Sequence, residues 1–337
     1  MNKTSHAFEI IWEALSKNER LTVRGMCKTA GVSRSGYYAW CKAADKRKER
    51  EEQDRRDFLL ILEAYLKHGY PKGAESIKMI LEHQTPAIKM NLKKIRRLMR
   101  KYHLESNIRK PNPNRQVIRA IKTNNTAPNI LHREFELYGP RVILLTDITY
   151  LPYAGKFAYL STIIDAYTKQ ILAYELSQTL EVDFVLKTVE QLMENHGDTL
   201  HPETILHSDQ GCHYTSIRYI HLLNEKKLKR SMSRKGNCWD NAPQESFFGH
   251  MKDHIRDKLK QAKTFEDVRQ IVDDYIRYYN NERYQWKLAK LSPNEFYEFV
   301  TTGVYPLKTP HPPALPAIPK KPEELGKTTK VENHSSR

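Results

Sequence analysis

The sequence has few cysteines and no long apolar run. Its four cysteines, Cys27, Cys41, Cys212 and Cys238, form no CxxC pair. Neither a disulfide scaffold nor a zinc knuckle is therefore indicated, and a reducing compartment fits best. No stretch of about 18 uncharged apolar residues occurs, and the N-terminus carries no signal-peptide core. These absences predict a soluble, cytoplasmic protein without membrane contact. Negative charge is also in deficit: 40 Asp and Glu stand against 56 Lys and Arg, a net charge of +16, and the pI is about 9.5. Such a surface gathers counter-anions and favours a polyanionic partner such as nucleic acid, although an inert basic surface is compatible with the same numbers. With 39% hydrophobic residues over 337 positions, the chain can bury a catalytic core and one or two smaller modules.

The pattern along the chain predicts six segments. Residues 1–45 read as a small helical unit, amphipathic from His6 to Leu15 and then resembling helix, turn, helix. There Gly31 can supply the positive φ of a sharp turn, and Ser33 can cap a following helix that carries Arg34, Tyr37 and Tyr38. Residues 46–57 alternate in charge and suit an exposed, ion-paired helical connector. Residues 58–106 form a second module of the same kind. In it Ile77, Ile80 and Leu81 make one apolar face and Leu92, Ile95, Leu98 and Met99 another, and the two faces are expected to pack together. The remaining positions of the second helix, among them Lys93, Arg96, Arg97 and Arg100, give a basic exterior suited to phosphate contacts. Residues 107–135 read as a basic linker.

From residue 136 the pattern changes to short apolar strands, Val142–Tyr150, Phe157–Asp165 and Ile171–Leu176, broken by turn residues. A helical segment, Glu181–Asn195, a strand, Thr204–His207, and further helices at Ser216–Lys226, Ala242–Leu259 and Phe265–Asn280 follow. This order predicts a mixed α/β sheet within residues 136–300. Seven of the seventeen prolines lie between Pro306 and Pro322, so residues 301–337 read as a Pro-rich disordered tail.

Three acids in that α/β segment invite a chemical reading. Asp147 lies inside an apolar strand, where a carboxylate needs either a cation or a nearby Lys or Arg. Asp209, in His-Ser-Asp-Gln-Gly211, follows a strand end, a common ligand position, although Asp before Gly more often makes an Asx turn. Glu245 opens a helix behind Pro243, with Phe247 and Phe248 placed to anchor that helix on the sheet. Lys252 stands seven residues on, along the same face. Together the acids suit Mg²⁺, with Mn²⁺ able to substitute, because two-metal phosphoryl transfer needs hard carboxylate oxygens converging from separate elements.

The order Asp147, Asp209, Glu245, with thirty-five residues between the last two and Lys252 beyond, resembles the DD(35)E signature of transposases and retroviral integrases. The flanking text is more specific. His207-Ser-Asp-Gln-Gly211, Ser231-Met-Ser-Arg-Lys-Gly-Asn237, Asp240-Asn-Ala242, Glu245-Ser-Phe-Phe248, Gly31-Val-Ser-Arg-Ser-Gly-Tyr-Tyr38, Thr126-Ala-Pro-Asn129 and Tyr278-Tyr-Asn-Asn-Glu-Arg283 are similar to the second-frame (OrfB) transposase of the IS-three family of bacterial insertion sequences. The resemblance implies a ribonuclease H-like integrase core preceded by small all-helical, helix-turn-helix-like modules. It implies metal-dependent cleavage and strand transfer on double-stranded DNA, with Asp147, Asp209 and Glu245 as both catalytic residues and metal ligands. Candidate DNA contacts are Lys252 and Arg256, with Arg34, Lys93, Arg96, Arg97 and Arg100 upstream. A homo-oligomer on DNA is expected, as is a first-frame (OrfA) protein or a frameshift fusion, since no leucine zipper is evident. The competing readings are a ribonuclease H-type nuclease without strand transfer, a non-catalytic DNA-binding regulator or a decayed copy, and a zinc site built from His207, Asp209, Cys212 and His213. Asp165 and Asp240 read as structural acids.

Overall fold

The computed structural model describes residues 3–18, 20–105, 136–233 and 241–322. The predicted linker up to residue 135, Thr126-Ala-Pro-Asn129, Cys238, Trp239 and Asp240 lie outside them, as does the tail beyond residue 322. The chain divides into two compact units, residues 1–67 with 90–105 and residues 68–89 with 106–337.

In the first unit, α1 (Lys3–Lys17), α2 (Val23–Thr29) and α3 (Arg34–Lys42) close around Phe8, Ile11, Cys27 and Tyr37. The turn between α2 and α3 is built as its residues suggest. Gly31 takes φ +64°, and the Ser33 hydroxyl accepts a hydrogen bond from the Gly36 N–H at 3.0 Å, capping α3. Arg34 opens α3 and is exposed.

The predicted connector 46–57 is instead the first half of one continuous helix, α4 (Ala44–Leu66). Glu51, Asp54 and Asp57 recur every three residues on it and so share a face, and that face meets α6 (Leu92–Lys101). Arg97 grips Asp54 with two hydrogen bonds of 2.7 and 2.6 Å. Lys94 pairs with Asp57, and Lys101 pairs with Glu51 and Asp54. The basic exterior expected of this helix is thus partly neutralised from within the protein, and Arg97 is withdrawn from the phosphate contacts. Lys93, Arg96 and Arg100 remain exposed.

The expected 58–106 module is divided as well. Helix α5 (Ala74–Glu82) belongs to the second unit. Its segment is tied there by His68 to Glu282 at 2.8 Å, by His83 stacked on Tyr284 with ring centroids 3.6 Å apart, and by Lys290 to Glu82 at 3.3 Å.

The second unit is built on a five-stranded sheet of β1 (Ile143–Tyr153), β2 (Lys156–Asp165), β3 (Ile171–Ser177), β4 (Ile205–Ser208) and β5 (Lys229–Met232). Its order is β3-β2-β1-β4-β5. The first three strands run antiparallel, whereas β4 and β5 join parallel to β1. Alternation along the strands sends Leu145, Leu151, Leu160 and Ile164 to one face, where α9 (Ala242–Gln261) and α10 (Phe265–Asn281) cover them. Leu144, Ile163 and Leu206 point to the other face, under α7 (Asp183–His196) and α8 (Ile217–Glu225). This is the mixed α/β sheet expected, with β5 and α11 (Pro293–Thr302) as elements the pattern did not announce.

Residues 303–322 differ from the disordered tail predicted for them. They are laid along the second unit: the Tyr305 hydroxyl donates to the Ala289 carbonyl at 2.8 Å, and the Lys320 N–H to the Leu137 carbonyl at 3.0 Å. Proline supplies no donor and little chain entropy, so a few such anchors suffice to hold the segment.

Fully buried Asp165 ties the start of the sheet together. It accepts hydrogen bonds from the Arg141 N–H (3.1 Å), the Tyr167 N–H (2.9 Å) and the Thr168 hydroxyl (2.9 Å), and pairs with the Arg141 guanidinium at 3.6 Å. Arg141 also donates to Gln170 at 2.7 Å, and Gln170 to Asn294 of α11 at 2.6 Å. Removing one partner strands a buried charge. Arg141→Met is accordingly expected to lower stability by roughly 3–5 kcal/mol in urea unfolding, and Asp165→Asn added to it should cost less than the sum of the two single changes.

Candidate active site

Strand register sets two of the three acids side by side. Leu145 on β1 stands opposite His207 on the parallel β4. Two residues beyond this pair stand Asp147, still within β1, and Asp209, one residue past the end of β4, near enough for the charge of Asp209 to act on the Asp147 carboxyl. Asp147 lies in the middle of β1, its carboxylate accepting the Ile148 N–H at 2.8 Å. Asp209 follows β4 and accepts the Gly211 N–H at 2.8 Å, the Asx turn that Asp before Gly favours. A Cβ at residue 211 would come within 2.9 Å of the Asp209 carboxylate, so glycine is what allows the loop to fold so tightly against the acid.

The third acid arrives on α9. Phe247, Phe248, Met251 and Ile255 are buried against the sheet, and a fully buried neighbour of Glu245 fixes where the helix begins. Gln244 donates to the hydroxyl of Thr162, and Thr162 is the β2 residue directly opposite Asp147. One hydrogen bond therefore links the start of α9 to the strand pair that carries Asp147. Composition and spacing single out neither Gln244 nor Thr162, because only the β1–β2 register makes them neighbours. Tyr214 was likewise not anticipated: it lies buried behind the sheet, its hydroxyl 3.4 Å from that of Thr146.

The electrostatics are those of crowded like charges. Burial, then the charge of Asp209, then that of Glu245 push the Asp147 carboxyl up to about 8, against the opposing Ile148 N–H and Lys252. Burial raises Asp209 as well, against the Gly211 N–H and His213. Burial depresses the Lys252 ammonium, which Asp147 partly offsets, and its Nζ lies 4.5 Å above the ring of Tyr150. Among the described residues no three His, Cys, Asp or Glu side chains form a ready metal cage. The donor set nevertheless suits a hard divalent cation, since it offers carboxylate oxygens only, crowded and short of compensating charge.

The remaining sequence candidates separate clearly. His207 is fully buried and bonded to the hydroxyls of Ser231 at 2.9 Å and Ser233 at 3.0 Å, so it braces β4 against β5. Cys212 is exposed beside His213. The zinc grouping therefore does not assemble. Arg256 is exposed on α9 and bonded to Asp253 at 2.6 Å. Tyr278 and Tyr279 are core residues.

Two outcomes follow for the cation-free protein. Asp147 has a folded pKa raised above its unfolded value of about 3.9, so the stability it contributes is present at pH 4 and lost as pH rises through about 8. The thermal midpoint should fall over that window, and Asp147→Asn should flatten the fall. Gln244→Leu removes the bond to Thr162, and an outer support of this kind is worth about 10- to 100-fold in cation affinity. Calorimetric titration with Mn²⁺ should register a weakening in that range, while the β-sheet signature in circular dichroism is retained.

Comparison with known proteins agrees with this architecture. The integrase core domain matches residues 138–238, a second integrase core description matches residues 226–293, and an HTH-like domain matches residues 52–112. The transposase InsK of insertion sequence element IS150 from Escherichia coli K12 is 32% identical over 271 residues, spanning 80% of this chain and 92% of the relative. The transposase InsF of insertion sequence IS3A, from the same organism, is 26% identical over 283 residues, 82% of this chain and 93% of its own. Among solved structures, the catalytic core domain of BIV integrase overlays on 48% of this chain and 97% of its own, at 15% identity and a TM-score of 0.39. With identity of this extent running through almost the whole of a relative, and with an integrase core behind helical modules, the chain belongs to the IS3-type insertion-sequence transposases.

Proposed function

We propose that this chain cuts DNA at the ends of an insertion sequence and joins those ends to target DNA, with Asp147, Asp209 and Glu245 as the acids of the reaction. The observation that supports this reading is the crowding of charge at Asp147, on which both Asp209, just past β4, and Glu245 act, with the start of α9 bonded through Gln244 to Thr162, the β2 residue opposite Asp147.

Asp147 stands in β1, Asp209 just past the end of β4, and Glu245 in the first turn of α9, with the charges of the latter two acting on the first. These three would hold Mg²⁺ or Mn²⁺ in a two-metal arrangement. When bound, such ions supply the positive charge that lowers the barrier to attack on phosphorus by water or a 3′-hydroxyl and to departure of the leaving oxygen. The protein need not furnish a covalent nucleophile. Ser231 and Ser233, the serines paired with a histidine here, are sealed in the interior with it. Lys252, beside Asp147, is placed to meet a phosphate next to the reacting one, and Arg256 stands one turn further along the helix. Arg34 on α3 and the exposed Lys93, Arg96 and Arg100 on α6 are the remaining candidate phosphate contacts. Two element ends must be handled together, which calls for more than one copy on the DNA, with a first-frame protein or a frameshift fusion as a further participant.

The test compares wild type with Glu245→Gln on duplex oligonucleotides carrying the adjoining element ends, in Mg²⁺ and in Mn²⁺. Joining should fall by more than about 100-fold, beyond what loss of a supporting residue costs, while binding of the same duplex persists. Cleavage that never proceeds to joining would make the protein a nuclease. Binding without either activity, with a first-frame partner supplied, would make it a regulator or a decayed copy.

A further inference from the structure

Strands β1 and β2 extend well past the acids as a hairpin, closed by a two-residue turn at Ala154 and Gly155, both at positive φ. The paired part of β4 reaches β1 only at residues 143–145, so the hairpin projects beyond the sheet edge on which the acids lie. On one side of it stand Tyr150 and Phe157. Tyr150 pairs with Tyr159 and Phe157 with Pro152, which makes the two rings diagonal neighbours on the same face. Their centroids are 5.7 Å apart at an interplanar angle of 89°. Tyr150 is 55% exposed and Phe157 50%.

A single exposed aromatic needs no explanation. Here two half-exposed rings meet at the tip, next in sequence to exposed Lys156, and one of them is joined to the acids. Lys252 makes that join: it lies 4.5 Å over the Tyr150 ring and is close enough to Asp147 for each to act on the other's charge. Tyr150 follows Asp147 by three residues, about 10 Å along an extended strand whose alternation turns the two side chains to opposite sides, and Lys252 is the residue that bridges them. That distance is two to three nucleotide steps at about 3.4 Å per base along one strand of duplex DNA.

We propose that Tyr150 and Phe157 form a stacking platform for an unpaired base of the DNA end, two or three nucleotides from the phosphate that reacts. The inference rests on the reading of the acids as a strand-transfer site. The chemistry fits an unpaired nucleotide better than an intact duplex. An aromatic pair offers π-faces to any base that has left its own stack, and the adjacent Lys252 and Lys156 offer cations to its phosphates. Intact duplex hides its base faces and presents only backbone to such a tip. An end held open in this way would keep the flexible terminal nucleotides clear of the acids while the reacting phosphate is seated.

The experiment measures affinity by fluorescence anisotropy, in the Glu245→Gln background so that the probe stays uncut. Two probes carrying the element end are used, one a blunt duplex and one with its last three nucleotides unpaired. The starting protein should prefer the frayed probe. The double variant Tyr150→Leu with Phe157→Leu keeps apolar bulk and removes both rings, and it should bind the frayed probe roughly 5- to 100-fold more weakly while its affinity for blunt duplex changes less than about twofold. Tyr150→Phe retains a ring and should keep the preference, which separates stacking from loss of fold. If the leucine variant keeps the preference, or loses affinity equally for both probes, the platform is overturned and the reading of the acids stands. If the starting protein binds neither probe, the strand-transfer reading fails and the platform with it.

Discussion

Repulsion between Asp147 and Asp209 is the constraint around which the rest of the catalytic unit is arranged. A carboxyl group in β1 and another just past the end of the parallel β4, with a third brought by α9, cannot all remain ionised in a half-buried site without compensation. Among what the fold supplies are a hydrogen bond from the Ile148 N–H, one from the Gly211 N–H, the charge of His213 beside Asp209, and a lysine whose own charge burial disfavours. The crowding persists because the strands and the helix are held elsewhere, by apolar contacts on both faces of the sheet. This separation of roles, with rigidity outside and unsatisfied charge inside, suits a site that acquires its missing positive charge from solution.

Two polar anchors carry that rigidity. Gln244 and Thr162 set the start of α9 against β2 at the level of Asp147. At the far end of the strands, Asp165, Arg141 and Gln170 bind the entry to β1, the β2–β3 turn and α11. Asn280 of the motif Tyr278-Tyr-Asn-Asn-Glu-Arg283 adds a reciprocal pair of hydrogen bonds to the backbone of Ile171 at 2.9 and 2.8 Å. That motif, which reads in sequence as a marker of kinship, works structurally as a clamp on β3. The Tyr278 and Tyr279 rings are consumed in the core beside it.

Charge in the N-terminal unit follows a different logic. The positive excess of the chain does not translate residue by residue into a DNA-facing surface, because α4 carries Glu51, Asp54 and Asp57 toward α6. Arg97 holds the Asp54 carboxyl well below the usual carboxylate range, with Lys101 adding to the effect. Bases engaged in this way stabilise a helix pair, whereas Lys93, Arg96 and Arg100 on the outer positions keep their charge at the surface. A helix with six basic residues thus does two jobs, divided according to which side meets α4.

Much of the catalytic unit was legible in the sequence because its signals are local or are fixed spacings. Apolar alternation marked β1, β2 and β3, Pro243 and the paired phenylalanines marked α9, and the intervals from Asp147 through Asp209 to Glu245 singled out the candidate acids. Turn chemistry at Gly31 and Ser33 was equally readable. β5 was not, since Lys229–Met232 shows too little apolar alternation and becomes a strand only because β4 lies beside it. Nor could sequence decide that the charged run 46–57 continues into α4, that α5 joins the second unit, or that residues 303–322 lie against it. Those outcomes depend on partners distant in the chain. The sequence by itself determined the chemical type of the site, because residue identity and spacing restrict which donors a strand end and a helix start can present. Only the tertiary structure decided which bases pair with α4, how Gln244 and Thr162 join the start of α9 to β2, and where the Tyr150–Phe157 tip projects, because each of these depends on register and packing between segments far apart in the chain.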